Sequence, residues 1–323
     1  MDDDNKRSEN LLAQITRADA LHLVRSPPLI KESEWSRESA GHAHRFAASL
    51  DACLTTRTWL GGNDVPLRVG RYAESLLRDL STQAEAEFPV LAQNLQIFEH
   101  RATIGELDLV VGTPTTPLHL ELAVKLYLGL PDRSHSLDGW VGPNPRDTLG
   151  KKFRHLKFKQ LPLSNTPQAR EALGLSPEET IYRYPWIKGY LFHFQNQELP
   201  LPTAVASNHQ RGWWTLDTAP WCPHPNDDVQ YCIPPKPYWI RHYPSDIAVF
   251  QNWQELQRAA TSHIEQRLTC HVIAINRGTQ KIASRGFIAS STWQEAAYSL
   301  SDQLVSENGN HTTSESNPRS GSK

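Results

Sequence analysis

The sequence predicts a mixed α/β protein. Three observations carry that prediction: amphipathic stretches of helical period before residue 80, a block of alternating strands from Val90 to Tyr127, and a helix followed by a strand between Asp147 and Phe194. Residues 11–24 repeat Leu11, Leu12, Ile15, Ala18, Leu21, Leu23 and Val24 at helical intervals, and Ser26-Pro27-Pro28 stops that helix. A second helix over roughly 38–60 has Phe46, Leu50, Leu54 and Leu60 on one face, and Gly61 to Pro66 reads as a loop. The stretch Leu67 to Leu80, with Leu76, Leu77 and Leu80, is a third helix and carries Glu74.

Strands are expected at Val90–Phe98, Ile104–Val111 and Leu118–Leu128, with Gly112 to Pro117 turning between the last two. After a loop over 129–145, Leu149, Phe153 and Leu156 share one face of a helix from Asp147 to Leu161, and Ile187–Phe194 is a strand. Residues 162–245 are dense in Pro and Trp, which argues for ordered loops and short strands packed onto a core. Trp253–Leu268 is then a helix, and His271–Ile275 and Lys281–Ala289 are strands. The chain divides into an N-terminal helical region (1–66), an α/β core (67–195), a Pro/Trp-rich α+β region (196–304) and a disordered tail (305–323) rich in Ser, Asn, Thr and Gly.

With 323 residues, 38% hydrophobic and 21% charged, the chain has material for a sizeable core. Its 33 basic and 35 acidic residues leave a net charge of −2, which excludes coating nucleic acid by bulk charge, so any such contact needs a local patch. The four cysteines imply no disulfide framework, and no apolar run reaches the roughly 18 residues that a membrane span requires. A cytoplasmic, reducing setting with no membrane partner is the expectation.

The chemistry concentrates in the hairpin. Strict alternation puts Leu107, Leu109 and Val111 on a core face with Leu118, Leu120, Leu122, Val124 and Leu126. The other face holds Glu106, Asp108 and Val110 against His119, Glu121, Ala123, Lys125 and Tyr127. If Val111 pairs with Leu118, Asp108 stands opposite Glu121 and Glu106 opposite Ala123, with Cβ atoms about 5 Å apart. Two opposed carboxylates repel, and a hard divalent cation such as Mg²⁺ or Mn²⁺ offsets that repulsion. Lys125, roughly 13 Å along the strand, can lean back toward it. The alternative is a solvated polar face; the unbroken apolar run opposite and the flanking helices weigh against it.

A Glu on the preceding helix (Glu74), an Asp in Gly105-Glu106-Leu107-Asp108, and an acid plus Lys on the next strand resemble the PD-(D/E)XK (restriction-endonuclease-like) core, a mixed central sheet flanked by helices. More closely, the chain resembles the bacterial family catalogued as domain of unknown function 1853. The matching stretches are Ser26 to Leu29, the Glu74 helix, Gly105 to Asp108, Glu121 to Leu128, Trp140 to Asn144 with Asp147, Gly212-Trp213-Trp214 and Arg285-Gly286-Phe287. The resemblance implies Asp108 and Glu121 as metal ligands with Glu106 assisting, Glu74 as a carboxylate on the metal side, and Lys125 as the residue that orients water or stabilises charge. Ala123 occupies the position where the nuclease pattern has an acid. Either Glu121 has taken over one same-face position earlier, or the site is degenerate. The resemblance accordingly implies a Mg²⁺- or Mn²⁺-dependent phosphodiesterase acting on DNA or another nucleic acid, or a nuclease fold kept as a non-catalytic nucleic-acid-binding or interaction module.

The helix after the hairpin carries Arg146, Lys151, Lys152, Arg154 and Lys157, suited to phosphate-backbone contact or else simply solvated. Lys159-Gln160-Leu161 stands where the family pattern has a His before Gln-Leu, which argues against His catalysis from this helix. Cys222, His224 and Cys232, even with His209 or His242, lack a zinc-knuckle spacing and read as structural. Trp213, Trp214, Trp221 and Trp239 read as fasteners of Pro-rich loops rather than base-stacking platforms. No Gly-rich phosphate loop and no Gly-x-Ser-x-Gly elbow occurs.

Overall fold

The computed structural model describes residues 16–56, 69–83, 88–226, 228–240 and 247–314. The expected positions Leu11, Leu12, Ile15, Leu60 and His242, and the loop 61–66, lie outside them. Helix α1 covers 16–25, α2 Arg37–Thr56 and α3 Val69–Gln83. Three strands follow, β1 (Val90–Glu99), β2 (Ala102–Thr113) and β3 (Thr116–Gly129), then the short β4 (Trp140–Val141). Helix α4 (Leu149–His155) runs through a π-helical turn, Leu156–Gln160, into α5 (Leu161–Leu163), with α6 (Pro167–Leu173) and β5 (Tyr182–Phe194) after it.

The remaining elements are β6 (Gln210–Leu216), β7 (Val229–Cys232), β8 (Val249–Phe250), α7 (Trp253–Arg267), β9 (Thr269–Asn276), β10 (Ile282–Ala289) and α8 (Ser291–Ser314). One ten-stranded mixed sheet runs β1-β2-β3-β5-β6-β10-β9-β7-β8, with β4 added to β3. It crosses residue 195 without interruption, because β5 pairs in parallel with β6. The tail expected from 305 is helical as far as Ser314, since α8 seats Trp293, Ala297 and Leu304 in the protein interior and carries the helix onward.

The hairpin register follows the alternation: Leu109 pairs with Leu120, Val110 with His119 and Val111 with Leu118. Its ladder extends to Thr113↔Thr116, so the turn is tighter than the expected Gly112–Pro117 span. At the other end the ladder stops at Leu109↔Leu120. Among the described residues nothing pairs with this edge of β3 again until β4 joins at Leu128↔Val141. The opposite edge of β3 stays paired with β5 from Leu118 to Leu128.

Where β2 leaves β3, its own alternation slips. Leu109 and Val111 pack with Leu118, Leu120, Leu122 and Val124 under α2 and α3, against Phe46, Leu50, Leu76 and Leu80. Leu107, expected on that face, instead packs with Val110, Ile97 and Leu163 on the other. The slip falls at Asp108. Opposite it on β1, Asn94 adopts φ 47° between the Gln93↔Leu109 and Leu95↔Leu107 pairs, a left-handed residue within an unshifted register.

The polar face of the hairpin is not solvated. Ala123 and Tyr127 pack there against Leu149, Phe153 and Leu156 of α4 and its π-helical extension. The C-terminal half is filled with aromatics. Trp213 and Trp214 lie within β6, one of the short strands of the Pro/Trp-rich region, where Trp214 packs against Trp293 and Phe194, and Trp213 against Trp221 and Trp253. Gly286 of β10 sits beside Trp213 so closely that a Cβ there would lie 2.1 Å from the indole, which accounts for glycine at that position.

Candidate functional site

Three carboxylates converge where β2 and β3 part. Asp108 Oδ2 accepts a hydrogen bond from the backbone N–H of Leu122 at 2.9 Å, in place of the ladder partner that β2 no longer supplies. Glu121, fully buried, is held by two neighbours. His119 Nε2 lies 2.9 Å from its Oε1, and the Gln160 side-chain amide donates to its Oε2. His119 in turn lies 3.1 Å from Ser164 Oγ. Glu74, on the face of α3 turned to β3, lines a small cavity with Asp108, Asn94 and Arg78, and also borders the main cleft.

The electrostatics follow from burial. Asp108 is pushed up to about 7, chiefly by burial and then by the Glu121 charge. Glu121 is pushed up to about 7 by burial, against the pull of Lys152. The two carboxyls are hydrogen-bonded to each other, so the pair holds a proton in common near neutrality. Burial and Asp108 together raise Glu74. Burial drives His119 down to about 4, so the imidazole is neutral and acts as a hydrogen-bonding prop for Glu121.

The cation of this cluster is Lys152, not Lys125. Lys125 Nζ is ion-paired with Asp147 Oδ2 at 2.7 Å. Lys152 Nζ donates to Gln160 Oε1 at 2.9 Å, and its charge pulls down Glu74, Asp108 and Glu121 alike. Burial, reinforced by Lys125, holds Lys152 below the ordinary lysine range. Thr148 fixes it there. Its hydroxyl caps α4 by accepting from Lys151 N at 3.0 Å and donates to Asp138 Oδ1 at 2.7 Å.

Of the expected site residues, Glu74, Asp108 and Glu121 are brought together and Lys125 lies beside them. Glu106 is not. It is exposed and paired with Gln96 of β1, because β2 has already turned away from β3 at that point. Ala123 is buried in the α4-side core rather than standing in the site. The expected phosphate-contact residues divide as well. Arg154 forms a two-pronged pair with Asp138, and Lys157 pairs with Glu34 and sits over Phe153. Lys152 turns inward, while Arg146 is exposed and Lys151 half-buried.

The sequence reading missed Gln160, Asp147 and the role of His119. His119 was legible as a same-face neighbour two residues before Glu121; the other two come from the π-helical turn after α4 and the loop ahead of α4, which hairpin periodicity does not reach. Among the described residues no three His, Cys, Asp or Glu side chains are grouped to hold a metal ion, so the acid cluster offers two adjacent carboxylates with a third nearby. The Cys222, His224 and Cys232 set is dispersed: His224 bonds Ser284 at 2.7 Å, Cys222 faces Tyr231, and Cys232 is buried in a different cluster with Ile273 and Ile275.

Glu74 and Lys152 of the cluster border a cleft of about 1050 Å³ along the free edge of β3, walled by α3, the 142–147 loop, residues 233–239 and the start of β9; Asp108 lines the small adjoining cavity instead. Fold and site together define a mixed α/β protein with a buried acid cluster at a parting of strands. The chain belongs to the family described as domain of unknown function DUF1853, whose model matches residues 16–289. No curated protein and no solved structure matches it. Among the described residues no helix is long and apolar enough to cross a membrane.

Proposed function

We propose that the chain is a metal-dependent phosphodiesterase of PD-(D/E)XK type acting on nucleic acid. The observation that carries this reading is the pair of neighbouring carboxylates, Asp108 half-buried and Glu121 fully buried, close enough to share a proton beside a cationic cleft that Glu74 and Lys152 border. A site that retains a proton near neutrality between two hard oxygen donors fits a divalent cation in that proton's place. The order α3-β1-β2-β3-α4-β5, with β3 and β5 parallel, supports the same reading.

Asp108 and Glu121 would hold Mg²⁺ or Mn²⁺, which would supply activation of water and neutralisation of phosphate charge. His119 and Gln160 fix the Glu121 carboxylate, Lys152 stabilises charge developing on the phosphate, and Lys125, held by Asp147, borders the same cleft. Incubating the protein with DNA and RNA in Mn²⁺ and in EDTA tests the reading. Cleavage is expected in Mn²⁺ only, falling roughly 10²-fold or more in Asp108→Ala; cleavage that survives that substitution removes the site assignment.

One observation favours the second reading, a nuclease fold kept for binding: Ala123 is packed into the core, and the site has two close carboxylates rather than three. Calorimetry with Mn²⁺ separates the two, since a binding module would take up nucleic acid but no metal.

A further inference from the structure

The cleft has two walls of different character. Five cations border it, Arg71, Lys125, Lys152, Lys236 and Arg267, against two acids, Glu74 and Asp147. Since Lys125 and Asp147 neutralise each other, the remainder is strongly positive on a chain of net charge −2. Lys236, in a 3-10 turn, and Arg267, the last residue of α7, come from the C-terminal half of the chain, across the cleft from the acid cluster. With them stands Trp239. Its indole N–H donates to Pro234 O at 3.1 Å, which fixes the ring, and the Lys236 ammonium lies 5.8 Å above it.

Next to Trp239, with ring centroids 5.3 Å apart, is His271, 1% exposed and also bordering the cleft. Among the described residues neither of its ring nitrogens has a hydrogen-bond partner. Burial and Arg285 drive it far below the usual histidine range, so it is neutral, with a donor and an acceptor both unspent.

We propose that the cleft takes a single-stranded nucleic acid, with the backbone on the cations and one base on Trp239. The inference rests on the phosphodiesterase reading for its purpose and deepens it by naming the strandedness of the substrate. Positive grooves with an aromatic platform suit single strands, because every base offers a ring face. A duplex keeps its bases stacked inside, so none reaches an indole face such as that of Trp239 without being flipped out. A base sliding onto Trp239 displaces the flexible Lys236 side chain toward the adjoining phosphate and brings a polar edge to the His271 side of the ring.

Fluorescence anisotropy in EDTA, with labelled single-stranded DNA, single-stranded RNA and the matching duplex, tests this without requiring turnover. Single strands are expected to bind roughly ten-fold tighter than duplex, with Trp239→Leu losing roughly ten-fold of that affinity. Lys236→Glu and Arg267→Glu, both outside the core, are expected to weaken binding and lower the salt dependence by about one contact each. Duplex bound as tightly as single strands, no binding at all, or affinity unchanged in the two charge reversals overturns the proposal. Single-strand preference without any Mn²⁺-dependent cleavage would sink the phosphodiesterase reading and leave this one standing; cleavage confined to duplex would do the reverse.

Discussion

On the β2–β3 side of β5, the sheet interior is polar and tied: Glu121 and His119 are fully buried, and each has a named partner. On the other side, β6, β9 and β10 are packed with Trp213, Trp214, Phe287 and Trp293, and the indole N–H groups of the three tryptophans donate to Ser284 Oγ, Gly129 O and Gly142 O in turn. Both regions bury large side chains, but only one of them buries charge at a place where the strand ladder is interrupted. Aromatic packing adds to stability wherever it occurs. Burying neighbouring carboxylates opposes folding, so the polar region lowers the stability that the aromatic region adds.

That contrast breaks most visibly under substitution. Trp214→Ala, removing a fully buried ring, is expected to cost about 3–5 kcal/mol in denaturant unfolding. A loss under 1 kcal/mol would show the aromatic half to be dispensable.

Asp108→Asn should have the opposite sign. The amide keeps both bonds of the protonated acid, accepting from Leu122 N and donating to Glu121. The Asp108 carboxyl is pushed up to about 7 in the fold from an ordinary value of 3.8. Between those values the folded state retains a proton that the unfolded chain has lost, so stability falls as pH rises across that window. The His119 contribution runs the other way, gaining stability as pH rises from about 4 toward 6.5. The difference between the parent and Asp108→Asn proteins reports the Asp108–Glu121 pair and leaves out His119. In EDTA the variant should melt higher by a margin, on the order of 1–2 kcal/mol, that widens from pH 5 to pH 7. A margin that narrows over that range would contradict the proton assignment.

The smallest effect is expected at Arg146→Ala and Lys151→Ala, whose side chains have no ion pair among the described residues; each should alter stability by less than about 0.5 kcal/mol in thermal unfolding.

How far the sequence was legible follows the same contrast. Period-two alternation fixed the hairpin register from Val111 and Leu118, and with it the meeting of Asp108 and Glu121. It did not show that Asp108 caps Leu122 N, because a left-handed backbone at Asn94 leaves no trace in an apolar/polar pattern. Lys152 read as one more cation on a basic helix, since its inward direction depends on where Thr148 starts α4. Glu106 was misplaced for the same reason as Leu107: strict alternation was carried past the point where β2 turns. α8 was hidden by its own composition, as the three buried side chains Trp293, Ala297 and Leu304 are diluted by Ser, Gln and Asn.

The π-helical turn Leu156–Gln160 gives the region between α4 and α5 a particular fragility. Each residue of a helix advances about 100°, so the turn acts as a phase adjuster between Lys152 before it and Gln160, Leu163 and Ser164 after it. Deleting one residue within it would leave a regular helix of equal polarity and better geometry, yet rotate Gln160 off Glu121 and Ser164 off His119 together. Length, more than residue type, is what this segment has to preserve.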